Sequence, residues 1–209
     1  MQRMSDVTYS PTAAEVKQLR ETTQAGMMDC KRALEETGGD MDAAVRLLRE
    51  KGIAQAGKRA GRGTGEGIIE TYVHAGGKIA AMVEIGCETD FVARNDNFRG
   101  FARKVALQIA AGRDLRFVSE AEISDEFKAG ELEIFRAKAA AEGKPEKMLD
   151  QISQGMWKKS LTDYVLLTQP SIRPEDDGKT IETLRAELSG TIGENIEVKR
   201  FARFEVGAE

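Results

Sequence analysis

Gly67-Ile-Ile-Glu-Thr-Tyr-Val-His-Ala75, Gly76-Gly77 and Lys78-Ile-Ala-Ala-Met-Val-Glu-Ile-Gly-Cys-Glu88 read as two β segments about a tight turn. β-Branched and aromatic residues crowd both runs, and a Gly-Gly pair between such runs signals a two-residue hairpin. That turn sets residue 75 opposite 78 and fixes the register of every later pair. Ile68, Tyr72, Ile79, Ala81, Val83 and Ile85 then share one face, and Ile69, Val73, Ala80 and Met82 share the other. Both faces are partly apolar, so both need a cover.

Residues 98–111 supply one cover. Phe98, Phe101, Ala102, Val105 and Ile109 fall on one helical stripe, and Gly112 ends the helix. Acidic and alanine-rich stretches follow around 120–142, then a helix from Pro145 to about Leu161 that carries Trp157 among apolar neighbours. The chain closes with a helix over 180–190 and a strand over 195–206. In that strand Ile196, Val198, Phe204 and Val206 alternate with mostly charged residues, which suits a third strand of the same sheet.

On the other side of the hairpin, residues 12–51 read as three short helices. Gly26 separates the first two, Gly38-Gly39 stops the second, and Asp40 caps the third. Three helices in about forty residues make a compact bundle, similar in outline to ubiquitin-associated (UBA) domains. Residues 52–66 carry five glycines and suit a flexible, solvated linker with some helix at its start. The expected fold is α+β: a UBA-like three-helix bundle over 1–51, a linker over 52–66, and a core over 67–209 of small antiparallel sheet with packed helices. Residues 1–10 read as a short frayed tail.

Bulk properties exclude several classes of function. A net charge of −4 offers no general basic field for nucleic acid. No apolar run approaches the ~20 residues that span a bilayer. Two cysteines, Cys30 and Cys87, lie on different elements and point to a reducing cytoplasm rather than a disulfide scaffold. With one histidine, His74, no zinc site is expected, and no nucleophile motif accompanies it. No cofactor, metal or catalytic residue is expected.

Two segments invite sharper readings. Gly52-Ile-Ala-Gln-Ala-Gly57-Lys58-Arg59 nearly spells a phosphate-binding loop. Yet Arg59 stands where Ser or Thr must hold Mg²⁺, and a helix rather than a strand precedes it. The linker reading prevails. In Glu88-Thr89-Asp90-Phe91-Val92-Ala93-Arg94-Asn95-Asp96, Thr89 suits a helix cap with Asp90 in the first turn. Phe91 would face the side of Phe98, and Val92 would fall on the polar side. Taken on the residues alone, packing of Phe91 into the core is the stronger reading. Its place beside a carboxylate, at a strand-to-helix corner, also suits insertion into a partner.

Resemblance shifts that balance. Leu19-Arg20-Glu21-Thr22-Thr23-Gln24-Ala25-Gly26-Met27-Met28-Asp29-Cys30-Lys31-Arg32-Ala33-Leu34 resembles the N-terminal signature of the elongation factor Ts family. Residues 84–94, Glu-Ile-Gly-Cys-Glu-Thr-Asp-Phe-Val-Ala-Arg, are similar to its second signature and depart at Gly86, where the family usually has Asn. Residues 200–207 resemble its C-terminal strand. The resemblance implies a non-enzymatic guanine nucleotide exchange factor that binds elongation factor Tu–GDP during translation elongation. It implies a bundle that grips the GTPase through Arg20, Met27, Met28 and Lys31. It also implies a wedge, Thr89, Asp90, Phe91 and Val92, that disturbs the Mg²⁺ and phosphate site and loosens GDP. The rival of another class is a UBA-like adaptor without exchange activity.

The length resembles the short form of the family, in which no second core subdomain covers the remaining sheet face. A second copy of the chain is the expected cover, giving a non-covalent homodimer through the core sheet. The competing account folds the helices after residue 120 back over that face.

Overall fold

The computed structural model describes residues 9–23 and 25–208; most of the N-terminal tail lies outside them. Among the described residues the order is α1 (Ala13–Thr23), α2 (Met27–Glu36), α3 (Met41–Arg59), β1 (Glu66–Val73), β2 (Ile79–Cys87), α4 (Asp90–Ala93), α5 (Asp96–Ala111), α6 (Asp125–Ala141), α7 (Leu149–Tyr164), α8 (Ile181–Ile192) and β3 (Glu197–Glu205). The fold is α+β, with one antiparallel sheet in the order β1-β2-β3. The chain forms two compact units. The first comprises the described residues up to Gly67 with Gly86–Phe98 and Arg185–Glu197. The second comprises Ile68–Ile85, Arg99–Leu184 and Val198–Glu209.

In the first unit, α1 to α3 enclose Val16, Leu19, Cys30, Ala33, Leu34 and Ala44. Local chemistry sets their ends. Thr12 and Glu15 form a reciprocal capping box: the Thr12 N–H donates to the Glu15 carboxylate at 2.7 Å, and the Glu15 N–H to Thr12 Oγ1 at 3.3 Å. At the end of α2, the Gly39 N–H reaches the Leu34 carbonyl at 2.9 Å, with Gly38 at φ +63°. This is the left-handed stop expected of Gly38-Gly39. Asp40 caps α3 by accepting from the Ala43 N–H at 2.9 Å.

The 52–66 segment differs from a solvated linker over its first half. α3 continues to Arg59, Ala56 is buried, and Gly52 meets Gly190 of α8 backbone to backbone. Arg49 pairs with Glu187 at 2.9 Å, and Arg59 donates to the Ser189 carbonyl at 3.3 Å. The glycines at 52 and 57 cost helix propensity, and packing along α8 overrides that cost.

In the second unit, His74 N–H donates to the Ile79 carbonyl at 2.9 Å, so 74 stands opposite 79, in the register expected. The loop itself is wider than a two-residue turn. Gly77 N–H donates to the His74 carbonyl at 2.9 Å, closing a turn in which Gly76 holds φ +89°. Val206 N–H donates to the Lys78 carbonyl at 2.8 Å and sets the β3 register. Ala81, Val83 and Ile85 are buried on the face that carries α5. Arg103 of α5 approaches Glu70 on that face, and Arg203 Nε donates to the Ala110 carbonyl.

The acidic, alanine-rich stretch is a full helix, α6, capped by Ser124 accepting from the Phe127 N–H at 3.1 Å. α6 and α7 pack as a hairpin of helices. At its base Phe127 meets Phe117, Trp157 and Tyr164 edge-on, and Arg116 lies 5.5 Å from the Phe127 ring centre. Trp157 is thus core, as its neighbours in sequence suggested. Asp176 is buried against Lys104 and accepts from Ser171 Oγ at 2.6 Å. Burial alone would raise its pKa, but the hydrogen bonds from Lys104 and Ser171 hold it below the ordinary aspartate value.

Two outcomes follow. A Cβ added at Gly190 would lie 2.5 Å from Gly52 Cα, whereas one added at Gly57 meets nothing within 4 Å. Gly190→Ala should therefore lower thermal stability by about 1–3 kcal/mol, and Gly57→Ala should be neutral or raise it by up to about 1 kcal/mol. Equal melting of the two variants would mean that the end of α3 is not packed. Asp176 has a depressed folded pKa, so its stabilising contribution is present above the unfolded value of about 4 and is lost as pH falls through the lower folded value. Denaturant titrations of wild type and Asp176→Asn should differ by a constant amount above about pH 4 and draw together as pH falls below it.

Candidate functional site

The corner from β2 into α4 and α5 is built in the first unit. β2 ends at Cys87, and Thr89 adopts an extended backbone as N-cap of α4, with Oγ1 facing the Val92 N–H at 3.5 Å. Asp90 adds negative charge to the first turn, where the helix end favours it. α4 is only one turn long. Asn95 starts α5 immediately afterwards, its Oδ1 accepting from the Asn97 N–H at 2.9 Å and the Phe98 N–H at 3.4 Å. A one-turn helix between two caps fixes where its four side chains point.

Those directions separate the four candidate residues of the corner. Phe91 is 81% exposed, Val92 and Ala93 are buried, and Phe98 is fully buried. Phe91 therefore does not join Phe98 in the core. Val92, expected on the polar side, turns inward, because a single capped turn does not continue the stripe of α5. Asp90 is half-buried and pairs with Arg94 at 2.8 Å.

A polar lattice braces the corner from below. One carboxylate oxygen of Glu194 accepts from the backbone N–H groups of Glu88 and Thr89, each at 3.0 Å. The other accepts from the Thr89 hydroxyl at 2.6 Å. In return, the Glu88 carboxylate accepts from the Asn195 N–H at 2.6 Å and lies 3.4 Å from Arg62. Asn195 Nδ2 donates to the Arg62 carbonyl, and Ser189 Oγ to the Glu194 carbonyl. Cys87 is buried and directs its thiol at the Thr89 carbonyl, 3.2 Å away. Burial, reinforced by the nearby Glu194 charge, pushes that thiol up to about 11, so it stays protonated and unreactive. Cys30 is likewise buried and its pKa raised, chiefly by burial. Sequence reasoning missed Glu194 and Asn195. Only their place just past a helix-ending Gly193 hinted at a built loop.

The bundle places the other candidate residues at the α1–α2 junction. Arg20 sits in the last turn of α1, and Met27 and Met28 in the first turn of α2, both more than half exposed. Lys31 lies one turn on, beside Glu35 at 3.7 Å. Met27 and Met28 stand four and three residues before Lys31, so the three share one side of α2. Exposed methionines offer a soft, adaptable contact surface.

Among the described residues no cluster of His, Cys, Asp and Glu could hold a metal ion, and no helix is long and apolar enough to cross a membrane. Comparison with known proteins is direct. The family model described as Elongation factor TS matches residues 3–208. A protein of Desulforamulus reducens named Elongation factor Ts is 50% identical over 94% of this chain and 89% of its own length. One of Nitratidesulfovibrio vulgaris with the same name is 50% identical over 95% of this chain and 98% of its own. One of Thermosynechococcus vestitus is 48% identical over 94% of this chain but only 65% of its own, so the family includes longer chains. With the family model spanning nearly the whole sequence and two relatives matched almost end to end, this chain belongs to the elongation factor Ts family.

Proposed function

We propose that the chain is a guanine nucleotide exchange factor that binds elongation factor Tu in its GDP form and promotes GDP release, with no covalent chemistry of its own. Family membership supports the partner. The observation that carries the mechanism is Phe91, 81% exposed on a corner braced by Glu194 and closed by two helix caps. A large aromatic held out of its own core is built to enter another. Asp90 and Phe91 are the contact residues of the wedge, while Thr89 and Val92 anchor it. They act by disturbing the Mg²⁺ and phosphate site of the GTPase. Arg20, Met27, Met28 and Lys31 are the gripping surface.

Linkage sets the energetics. The factor and the nucleotide bind one protein with unfavourable reciprocal coupling. Equal affinity for the GDP-bound and empty GTPase would shift nothing. Each tenfold weakening of GDP needs about 1.4 kcal/mol of differential binding, and one buried aromatic anchor supplies about 2 kcal/mol.

Release of labelled GDP from elongation factor Tu, with and without the protein, tests this reading. Phe91→Ala should slow catalysed release at least about tenfold while changing thermal stability by no more than about 0.5 kcal/mol, since an exposed side chain is lost. A drop in stability of core size, about 3 kcal/mol or more, would return Phe91 to a packing role. Binding without any acceleration would favour the adaptor reading.

The uncovered sheet face supports a homodimer. Ile69, Val73, Met82, Phe204 and Val206 are all exposed large apolar residues; the first four share the face opposite α5, and Val206 follows just beyond β3. The helices after residue 120 leave this face open. Arg200 pairs with Glu84 at 2.7 Å on the same face and gives the apolar patch a polar rim. An exposed apolar face of this kind suits a two-fold interface with a second copy, and is otherwise a solubility liability. Both cysteines are free and buried, so the dimer is non-covalent. Sedimentation at micromolar concentration should give a dimer, and the double change Met82→Glu and Phe204→Glu should give a folded monomer. A monomeric wild type, alone and with the GTPase, would exclude the dimer.

A further inference from the structure

The thiols and the aromatic cluster belong to packing already described; the carboxylate of Glu194 does not. It is half-buried, and both of its oxygens are spent on one short stretch of backbone and one hydroxyl. The donors it satisfies are those that a strand ending at Cys87 leaves without a sheet partner. A carboxylate receiving three hydrogen bonds is also among the stronger arrangements available, since each bond is charge-assisted.

We propose that Glu194 is a positioning residue for exchange: by gripping the Thr89 hydroxyl and the Glu88 and Thr89 N–H groups, it holds the α4 cap and so keeps Phe91 pointing outward. This rests on the exchange-factor reading above. The physical sequence is short. A threonine hydroxyl can donate or accept. The hydroxyl donates its hydrogen bond to Glu194 at 2.6 Å, so the lone pairs of Oγ1 are left to accept from the Val92 N–H. That cap sets the start of a helix of four residues, alongside the Ala93 N–H bond to the Thr89 carbonyl, the Asp90–Arg94 pair and the burial of Val92. The loop carrying Glu194 is itself held: Gly193 turns at φ +88°, Ser189 Oγ grips the Glu194 carbonyl, and the Asn195 N–H is bound by Glu88. The two segments thus trade backbone donors for carboxylates, and the wedge inherits the rigidity of the end of α8. Glu194 touches the partner nowhere in this scheme. It acts through Thr89 and Phe91.

The full-length protein tests this through GDP release from the GTPase measured across a range of factor concentrations. Glu194→Ala should lower the maximal rate about tenfold, the scale of a lost set of charge-assisted hydrogen bonds. It should change the half-saturating concentration by less than about twofold, because the gripping surface around Met27 and Met28 is untouched. Glu194→Gln, which keeps the volume and one acceptor oxygen, should recover part of the rate, and it is read in the same way should Glu194→Ala fail to fold. Combined with Phe91→Ala, either change should add nothing to the loss from Phe91→Ala alone, because both remove one function. Additive losses, or a rise in half-saturation matching the fall in rate, would reduce Glu194 to general stabilisation and overturn the proposal. Wild-type protein that leaves GDP release unchanged overturns the exchange reading and this inference with it. Wild-type exchange that depends on Phe91 but not on Glu194 overturns the inference alone.

Discussion

The end of β2 has backbone donors that the sheet cannot use. Buried N–H groups must find acceptors, and those of Glu88 and Thr89 find one oxygen of Glu194. The solution ties a strand end to the loop after α8, more than a hundred residues later in the chain. Because the same carboxylate also takes the Thr89 hydroxyl, one side chain both ends the strand and starts the helix. Everything beyond it, from the single turn of α4 to the second cap at Asn95, is directed from that point. An aromatic side chain can stay 81% exposed here because its backbone is overdetermined by polar contacts rather than by burial of the ring.

The same unit carries the α1–α2 junction, and the route between them is structured. α3 runs unbroken from the bundle to Arg59, meets α8 at the Gly52–Gly190 contact, and is pinned there by Arg49–Glu187 and Arg59–Ser189. α8 then leads into Gly193 and Glu194. Two binding elements joined by a flexible linker gain from effective concentration alone. Two joined through packed helices gain from preorganisation, because the ordering cost is met in folding rather than on binding. The helical continuation past residue 51 therefore changes the kind of cooperation expected between the proposed gripping surface and the proposed wedge.

What the sequence reveals and conceals follows the range of the interactions. Asp40 as a cap, Gly38-Gly39 as a stop, the hairpin register and the buried stripe of α5 depend on neighbours a few residues apart, and each is legible. The extension of α3 is not, because Gly52 and Gly57 argue against helix and only a glycine on α8, distant in sequence, makes the first of them useful. The acidic segment around 120–142 hides α6 for a similar reason. Phe127 packs on Trp157 of α7, and Ala139 is the one buried residue of the helix, so no broad stripe of its own is formed. The site divides in the same way. Phe91 is visible as a hydrophobe out of place and gains its meaning from resemblance to a family. Glu194 looks like any surface carboxylate until the fold brings it under Thr89.

In the proposed exchange function, the direction of Phe91 is also an energetic condition. Only interactions stronger with the nucleotide-free GTPase than with the GDP-bound form contribute to release. A wedge residue packed in its own core would first have to be withdrawn, and the cost of exposing a buried aromatic, about 2–3 kcal/mol, would be subtracted from the differential binding. Phe91 has no such debt, since most of its surface already faces water. Val92 shows the complement: buried, it anchors the turn and has little surface to offer a partner. One turn of helix thus splits adjacent residues between two tasks, and a cap held by Glu194 decides which residue receives which. A longer or looser helix at this corner would let Phe91 rotate toward Phe98, where burial is more favourable within the free chain and of no use against the GTPase.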